Sequence, residues 1–398
     1  MANLDEIEEY NKGTIYPENF DETYIATKYV SEYALKIEND ILENLKKKIS
    51  EKGLFLDDEG MLTSIVIGLM KGNIIFQGPP GTGKTTLAKI VCEVFNVKSD
   101  IVTAVSDWST YDTMGGLQPT ANNQGKEIFE GKNGRVVESI LNCCNTVLQH
   151  EIYEGKEQAT WLIVDELNRC EIDKVFGDLF TVFGNDGSVE EKVIPLWFEN
   201  NKNKKKLHVP NRFRIIGSMN NIDKNYVFDI SQGLTRRFTF INVLPPKLKS
   251  FDKEIENVKR VVVKKVSKKL VQFGSSLVEE AYLDELLSTE ELSVLEKSLK
   301  EFLIKVRYDE DNTYLGLNIG TAQIIDVYEE ILLNLLLINK PISSDELKRI
   351  IDRVVLSSIV PQCDGFDYQR INDFYEHICS NDSFNWLNET KEGIKKLL

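Results

Sequence analysis

The octet Gly78-Pro79-Pro80-Gly81-Thr82-Gly83-Lys84-Thr85 lies between an apolar run, NIIFQ (73–77), and an amphipathic stretch, TLAKIVCEVF (86–95). It satisfies the pattern G-x-x-x-x-G-K-[ST] in a strand-loop-helix context, and that context constrains the fold more than any other local feature. Such a loop works when a buried strand delivers it to the start of a helix: the glycines let backbone N–H groups turn toward a phosphate, and the helix N-terminus adds the positive end of its dipole. Gly78, Pro79, Pro80, Gly81, Thr82, Gly83, Lys84, Thr85 and Thr86 are therefore the candidate nucleotide-binding residues. Lys84 is placed to reach the β- and γ-phosphates, and the Thr85 hydroxyl to bind Mg²⁺.

A second stretch, WLIVDELNRC (161–170), runs four apolar residues into two adjacent carboxylates, Asp165 and Glu166. Like charges beside a core are costly unless a ligand uses them. Beside a phosphate loop they have a chemical use. The first acid, Asp165, joins Thr85 as a candidate metal residue, and the second, Glu166, orients and polarises an attacking water. The LNRC that follows has no explanation at this level.

Short apolar runs alternate with helical patterns through the first two thirds of the chain, which indicates a parallel, doubly wound sheet. The expected strands are 73–77, 100–106, 160–165, 213–220 and 238–243, with a helix over 57–70 leading into the first. Pro245-Pro246 ends the alternation, and 247–398 carries helical periodicity throughout. The expected organisation is an N-terminal helical segment (1–55), an α/β nucleotide-binding domain (56–246) and a C-terminal helical domain (247–398).

Composition narrows the function classes. The longest apolar run, 331–338, is far short of the ~20 residues a membrane helix needs, and the acidic N-terminus does not read as a signal peptide; the expectation is a cytoplasmic protein without membrane contact. Six cysteines without a C-x-x-C pair, and three histidines, suggest neither a disulfide scaffold nor a zinc site. A formal net charge of −15 argues against a surface that is nucleic-acid footprint throughout, although basic clusters stand out at 46–48, 202–206 and 258–269.

Together these stretches resemble the AAA+ superfamily, in the branch that holds McrB-type restriction motors, MoxR-type ATPases and dynein-related ATPases. WLIVDELNRCEIDKVFGDLFTVF (161–183) is similar to the extended Walker B region of McrB-like proteins. VSDWSTYDTMGGLQP (105–119) resembles the segment after their second strand, FRIIGSMNNIDKN (213–225) their sensor 1 strand, and ISQGLTRRFTFINVLPP (230–246) their arginine-finger region. The motifs follow the family order over 73–246.

The resemblance implies a P-loop AAA+ core with a five-stranded parallel sheet and a helical lid. It makes Asn220 the sensor 1 residue, Arg236 and Arg237 candidate arginine fingers for a neighbouring subunit's nucleotide, and Arg169 a residue near the subunit interface. A guanidinium suits such a task because it is always charged and matches phosphate oxygens in a bidentate way. The resemblance further implies a helix-2 insert, expected at 119–135 as turn-rich sequence, and a β-hairpin over 193–210 with a basic tip. Where a sensor 2 arginine would be sought, 317–330 offers Gln323 instead.

By the same resemblance the expected activity is Mg²⁺-dependent hydrolysis of ATP or GTP by a homo-oligomer, a ring or open ring such as a hexamer. The work would fall on a partner protein or nucleic acid. DNA would be met through the Lys202–Lys206 hairpin, and a separate effector chain such as a nuclease would do any cutting, as in a McrBC-like restriction or defence system. Two alternatives stand beside it: a MoxR-type chaperone that remodels a protein complex, and a slow nucleotide-bound switch that activates a partner.

Overall fold

The computed structural model describes residues 27–121, 125, 127–177, 179–183, 191–199, 205–220, 232–272, 279–338 and 342–398. Residues 1–26 of the N-terminal segment, Lys202 and Lys204 of the expected basic tip, and 221–231 lie outside this set.

The chain divides into two units. The first holds a parallel five-stranded sheet of β1 (Asn73–Gly78), β2 (Lys98–Thr103), β5 (Thr160–Asp165), β8 (Ile215–Asn220) and β9 (Phe238–Asn242), in the order β2-β5-β8-β1-β9. The inner strands are buried on both faces, as parallel sheets require: β5 is buried at every position but Asp165, and β8 at every position but Asn220. Helix α1 (Glu59–Lys71) leads into β1, α2 (Lys84–Val94) leaves the phosphate loop, and α3 (Arg135–Tyr153) packs on β5. The crossings between parallel strands carry the chain back each time, so strand ends of one sense collect on one edge. Register places Gly78 opposite Asn220 and Thr103 opposite Asp165. That edge is where a ligand binds in a sheet of this type.

Several boundaries differ from the sequence reading. The second strand spans Lys98–Thr103, not 100–106, because it is the sheet edge and its apolar residues, Ile101 and Val102, do not set its limits. The strand expected at 213–220 starts at Ile215 after a turn at 210–213, and the helix before β1 starts at Glu59, once the Asp58 carboxylate has accepted from the Gly60 and Met61 N–H groups. Residues 31–40 lack helix, although the sequence there reads as helical.

The insert expected as turn-rich sequence at 119–135 is a β-hairpin: β3 (Gly115–Ala121) pairs antiparallel with β4 (Glu127–Asn133). The hairpin expected over 193–210 is present as β6 (Val193–Pro195) against β7 (Lys206–His208).

The second unit contains the C-terminal helices, among them α4 (Phe251–Gln272), α5 (Glu290–Arg307), α6 (Thr321–Ile338), α7 (Ser344–Ser358) and α8 (Tyr368–Ser380), around their own apolar core. Five residues of the phosphate loop, Pro79–Gly83, and the segment Ser50–Asp57 group with it. No described helix is long and apolar enough to cross a membrane.

Candidate nucleotide site

Gly78 closes β1 and Lys84 opens α2, so the phosphate loop is the link between the two. Lys84 is 6% exposed, and its Nζ donates to the Gly78 carbonyl at 2.9 Å. Burial lowers its pKa from 10.5 to about 8, against the raising influence of the Asp165 and Glu166 charges. An ammonium held in this way is short of solvation and gains from an anion. Thr85 is half-buried and Thr86 exposed at the first turn of α2.

Asp165, the last residue of β5, accepts from the Thr85 hydroxyl at 2.9 Å and from the Ser218 hydroxyl on β8. Three hard oxygens from Thr85, Asp165 and Ser218 therefore meet at one point, and the donor chemistry fits Mg²⁺, which prefers one or two carboxylates and retains several waters. Thr85 and Asp165 would hold the ion, and it would supply charge neutralisation on the β- and γ-phosphate oxygens.

Glu166 departs from the strand with φ 54° and ψ 41°, in the left-handed region. For a residue other than glycine that conformation costs on the order of 1 kcal/mol, and it aims the side chain away from the strand direction. Its N–H donates to Ser218 Oγ at 3.1 Å, and its carboxylate pairs with Arg169 Nε at 2.8 Å. Asn168, buried in the turn Leu167–Arg169, donates to the Asn220 carbonyl at 3.0 Å and accepts from the Asn220 N–H at 3.4 Å. That clamp gives Asn168 a structural role. The Asn220 side-chain amide makes no hydrogen bond among the described residues, and it stands in register with Gly78.

Ser218 escaped the sequence reading. A serine inside an apolar strand reads as packing, but it lies two residues before Asn220 and so on the same face of β8, which was an available signal.

Arg236 is exposed, and Arg237, half-buried, donates to the Gly233 carbonyl at 2.8 Å. Both follow a single helical turn, Gln232–Thr235, and precede β9.

Within the second unit, the loop residues Pro79–Gly83 rest on the start of α6. The Ala322 N–H donates to the Gly81 carbonyl at 3.0 Å, and Gln323 Nε2 donates to the Pro80 carbonyl at 3.3 Å. Gly81 has φ +75°, and a Cβ there would lie 2.0 Å from Gln323 Oε1. Gly320 is equally constrained from the other side, since its Cβ would lie 2.2 Å from the Gly81 carbonyl carbon. Gln323, noted in the sequence for replacing an arginine, thus holds the backbone of the phosphate loop. The buried Glu254–Arg307 pair, with Thr321 donating to Glu254 at 2.7 Å, fixes the first residue of α6.

Residues 73–238 match the AAA domain of the dynein-related subfamily. The α/β core of this chain is a AAA domain. The chain is 30% identical over 207 residues to the EcoKMcrB subunit of a Type IV methyl-directed restriction enzyme from Escherichia coli (strain K12), a match covering 50% of this chain and 42% of that protein. The chain thus spans less than half the length of this curated relative. A solved structure of a candidate ATPase from Cytophaga hutchinsonii aligns with 78% of this chain and 85% of its own at 14% identity and a TM-score of 0.36. The matched residues 73–238 hold the phosphate loop, the Asp165–Glu166 pair and Asn220.

Proposed function

We propose that the chain is a Mg²⁺-dependent nucleoside triphosphatase, acting on ATP or GTP, whose site is completed by a second copy of itself. The observation that carries this reading is the meeting of Thr85, Asp165 and Ser218 oxygens beside Glu166, on the strand edge where the phosphate loop begins. Lys84 binds and orients the β- and γ-phosphates, and Asn220 positions the terminal phosphate or the water. Glu166 accepts a proton from that water as its oxygen bonds to the γ-phosphorus and the bond to the bridging β–γ oxygen breaks, giving a nucleoside diphosphate and inorganic phosphate. Arg236 and Arg237 serve the neighbour's site in a ring or open ring such as a hexamer, where an arginine supplied in trans contributes about 10³–10⁵ in rate in related enzymes.

The likeness to a restriction-enzyme subunit supports a motor working on a partner protein or nucleic acid, with a separate nuclease chain, in a McrBC-like defence system. Lys205 and Lys206, exposed at the loop end of the β6–β7 hairpin, are candidate contacts for that partner.

One observation favours the slow-switch reading of the same site. The Glu166 carboxylate is occupied by Arg169 at 2.8 Å, so it must be released before it can take a water proton.

Phosphate release from ATP and from GTP, followed over a range of protein concentrations, tests the proposal. Specific activity should rise with concentration, and Glu166→Gln should lower it at least about a hundredfold while nucleotide binding persists. Equal turnover by Glu166→Gln and wild type would remove the carboxylate from the reaction.

A further inference from the structure

The first unit contains a second concave site, at the edge of the sheet where β1 begins. It is a cavity of about 450 Å³ whose apolar wall includes Leu35, Ile37, Met70, Val182, Phe183 and Phe213. The Phe183 and Phe213 rings stack in that wall with centroids 6.3 Å apart. Strand β1 runs from this cavity at Asn73 to the phosphate loop at Gly78, which at the usual rise per residue separates the two sites by roughly 16 Å.

The charged residues described around the cavity are of one sign. Lys71, Lys192 and Arg214 line it, and no Asp or Glu does so among the described residues. Among the described residues none of these three cations takes part in an ion pair, in a chain whose net charge is −15. Arg214 is the most constrained. Its Nε donates to the Leu69 carbonyl and its Nη1 to the Asn211 and Phe213 carbonyls, each at 2.7 Å. Those carbonyls, one of them near the C-terminal end of α1, orient the guanidinium with one edge satisfied, and its Nη2 makes no hydrogen bond among the described residues. Burial without a carboxylate partner pulls its pKa down to about 10. A guanidinium that is partly desolvated, oriented and without a counter-ion among the described residues gains from an anion beside it.

We infer that this cavity is a binding site for a small organic anion with an apolar or aromatic body, its carboxylate, phosphate or sulfonate group held by Arg214, Lys71 and Lys192. The volume lies within the range of small-molecule sites, and the combination of an apolar wall with a few convergent polar groups is what fixes such ligands. The inference is independent of nucleotide hydrolysis, because none of the lining residues belongs to the phosphate loop or to the carboxylate pair.

The test uses a probe pair that differs mainly in charge: 8-anilinonaphthalene-1-sulfonate and neutral N-phenyl-1-naphthylamine, titrated by fluorescence against the full chain at low ionic strength. The anion should bind one saturable site, more tightly than its neutral analogue, and more weakly as salt rises. Lys71→Gln combined with Lys192→Gln removes two charges at exposed or half-buried positions. It should weaken the sulfonate about tenfold and leave the neutral probe unchanged. Equal affinity for the two probes, or no effect of the double substitution, would overturn the inference. Competitive displacement of the sulfonate by ATP would also overturn it, since that would locate the probe at the phosphate loop.

Discussion

Ser218 accepts from the Glu166 amide and donates to the Asp165 carboxylate, so its hydroxyl constrains both acids at once. Ser218→Ala removes the hydroxyl without opening a cavity and should cost about 1 kcal/mol of stability. The expected kinetic effect is larger, a fall in turnover of roughly tenfold to a hundredfold with little change in nucleotide affinity, because misorientation acts on the transition state. Steady-state kinetics beside a denaturant melt separates the two. Lys84 offers a test through pH. Its free-state pKa of about 8 means that the ammonium needed for phosphate binding is lost as pH rises past that value, so nucleotide affinity should fall, approaching tenfold per pH unit. Apo stability should move the other way. The unfolded chain holds this proton up to 10.5, so burying the charged amine costs about 3 kcal/mol near neutrality, and that cost fades between pH 8 and 10.5. Affinity that stays flat from pH 7 to 9.5 would contradict the role given to Lys84.

At the scale of elements, legibility followed burial. Strand β5 is legible to the residue because TWLIVD is buried on both faces and ends at a carboxylate. Strands β3 and β4 were not legible as strands. GGLQPTA contains Pro119 and two glycines, and EIFEGKN is mostly charged or polar and largely exposed, so neither sequence gives the apolar alternation that marks a half-buried strand. Asn168 was unreadable for a different reason, since its partner Asn220 lies 52 residues away and the contact depends on how β5 and β8 lie side by side. The junction of the phosphate loop with α6 likewise required coordinates. Gly320→Ala should force the loop backbone away from α6, weakening nucleotide binding and lowering stability by roughly 1–3 kcal/mol, as overpacking of tight contacts does. Isothermal titration with a non-hydrolysable nucleotide checks this, and unchanged affinity would show that the α6 contact does not shape the loop.

For the molecule as a whole, the sequence carried the parallel α/β core, the helical C-terminal region and the carboxylate pair, because each rests on apolar periodicity or on a local motif. Assembly is a different matter, since the role given to Arg236 and Arg237 lies in a neighbouring copy. The central claim is that a hydrolytic site built around Lys84, Thr85, Asp165 and Glu166 in one copy is finished by the arginines of another. Phosphate release from mixed variants tests it most directly. A chain with Lys84→Ala lacks its own nucleotide site but keeps its arginines, and a chain with Arg236→Ala and Arg237→Ala keeps its site but lacks the arginines. Each should be nearly inactive alone, and mixing them should restore a substantial fraction of wild-type activity. Mixtures that co-assemble by light scattering yet stay as inactive as their components would contradict the shared site.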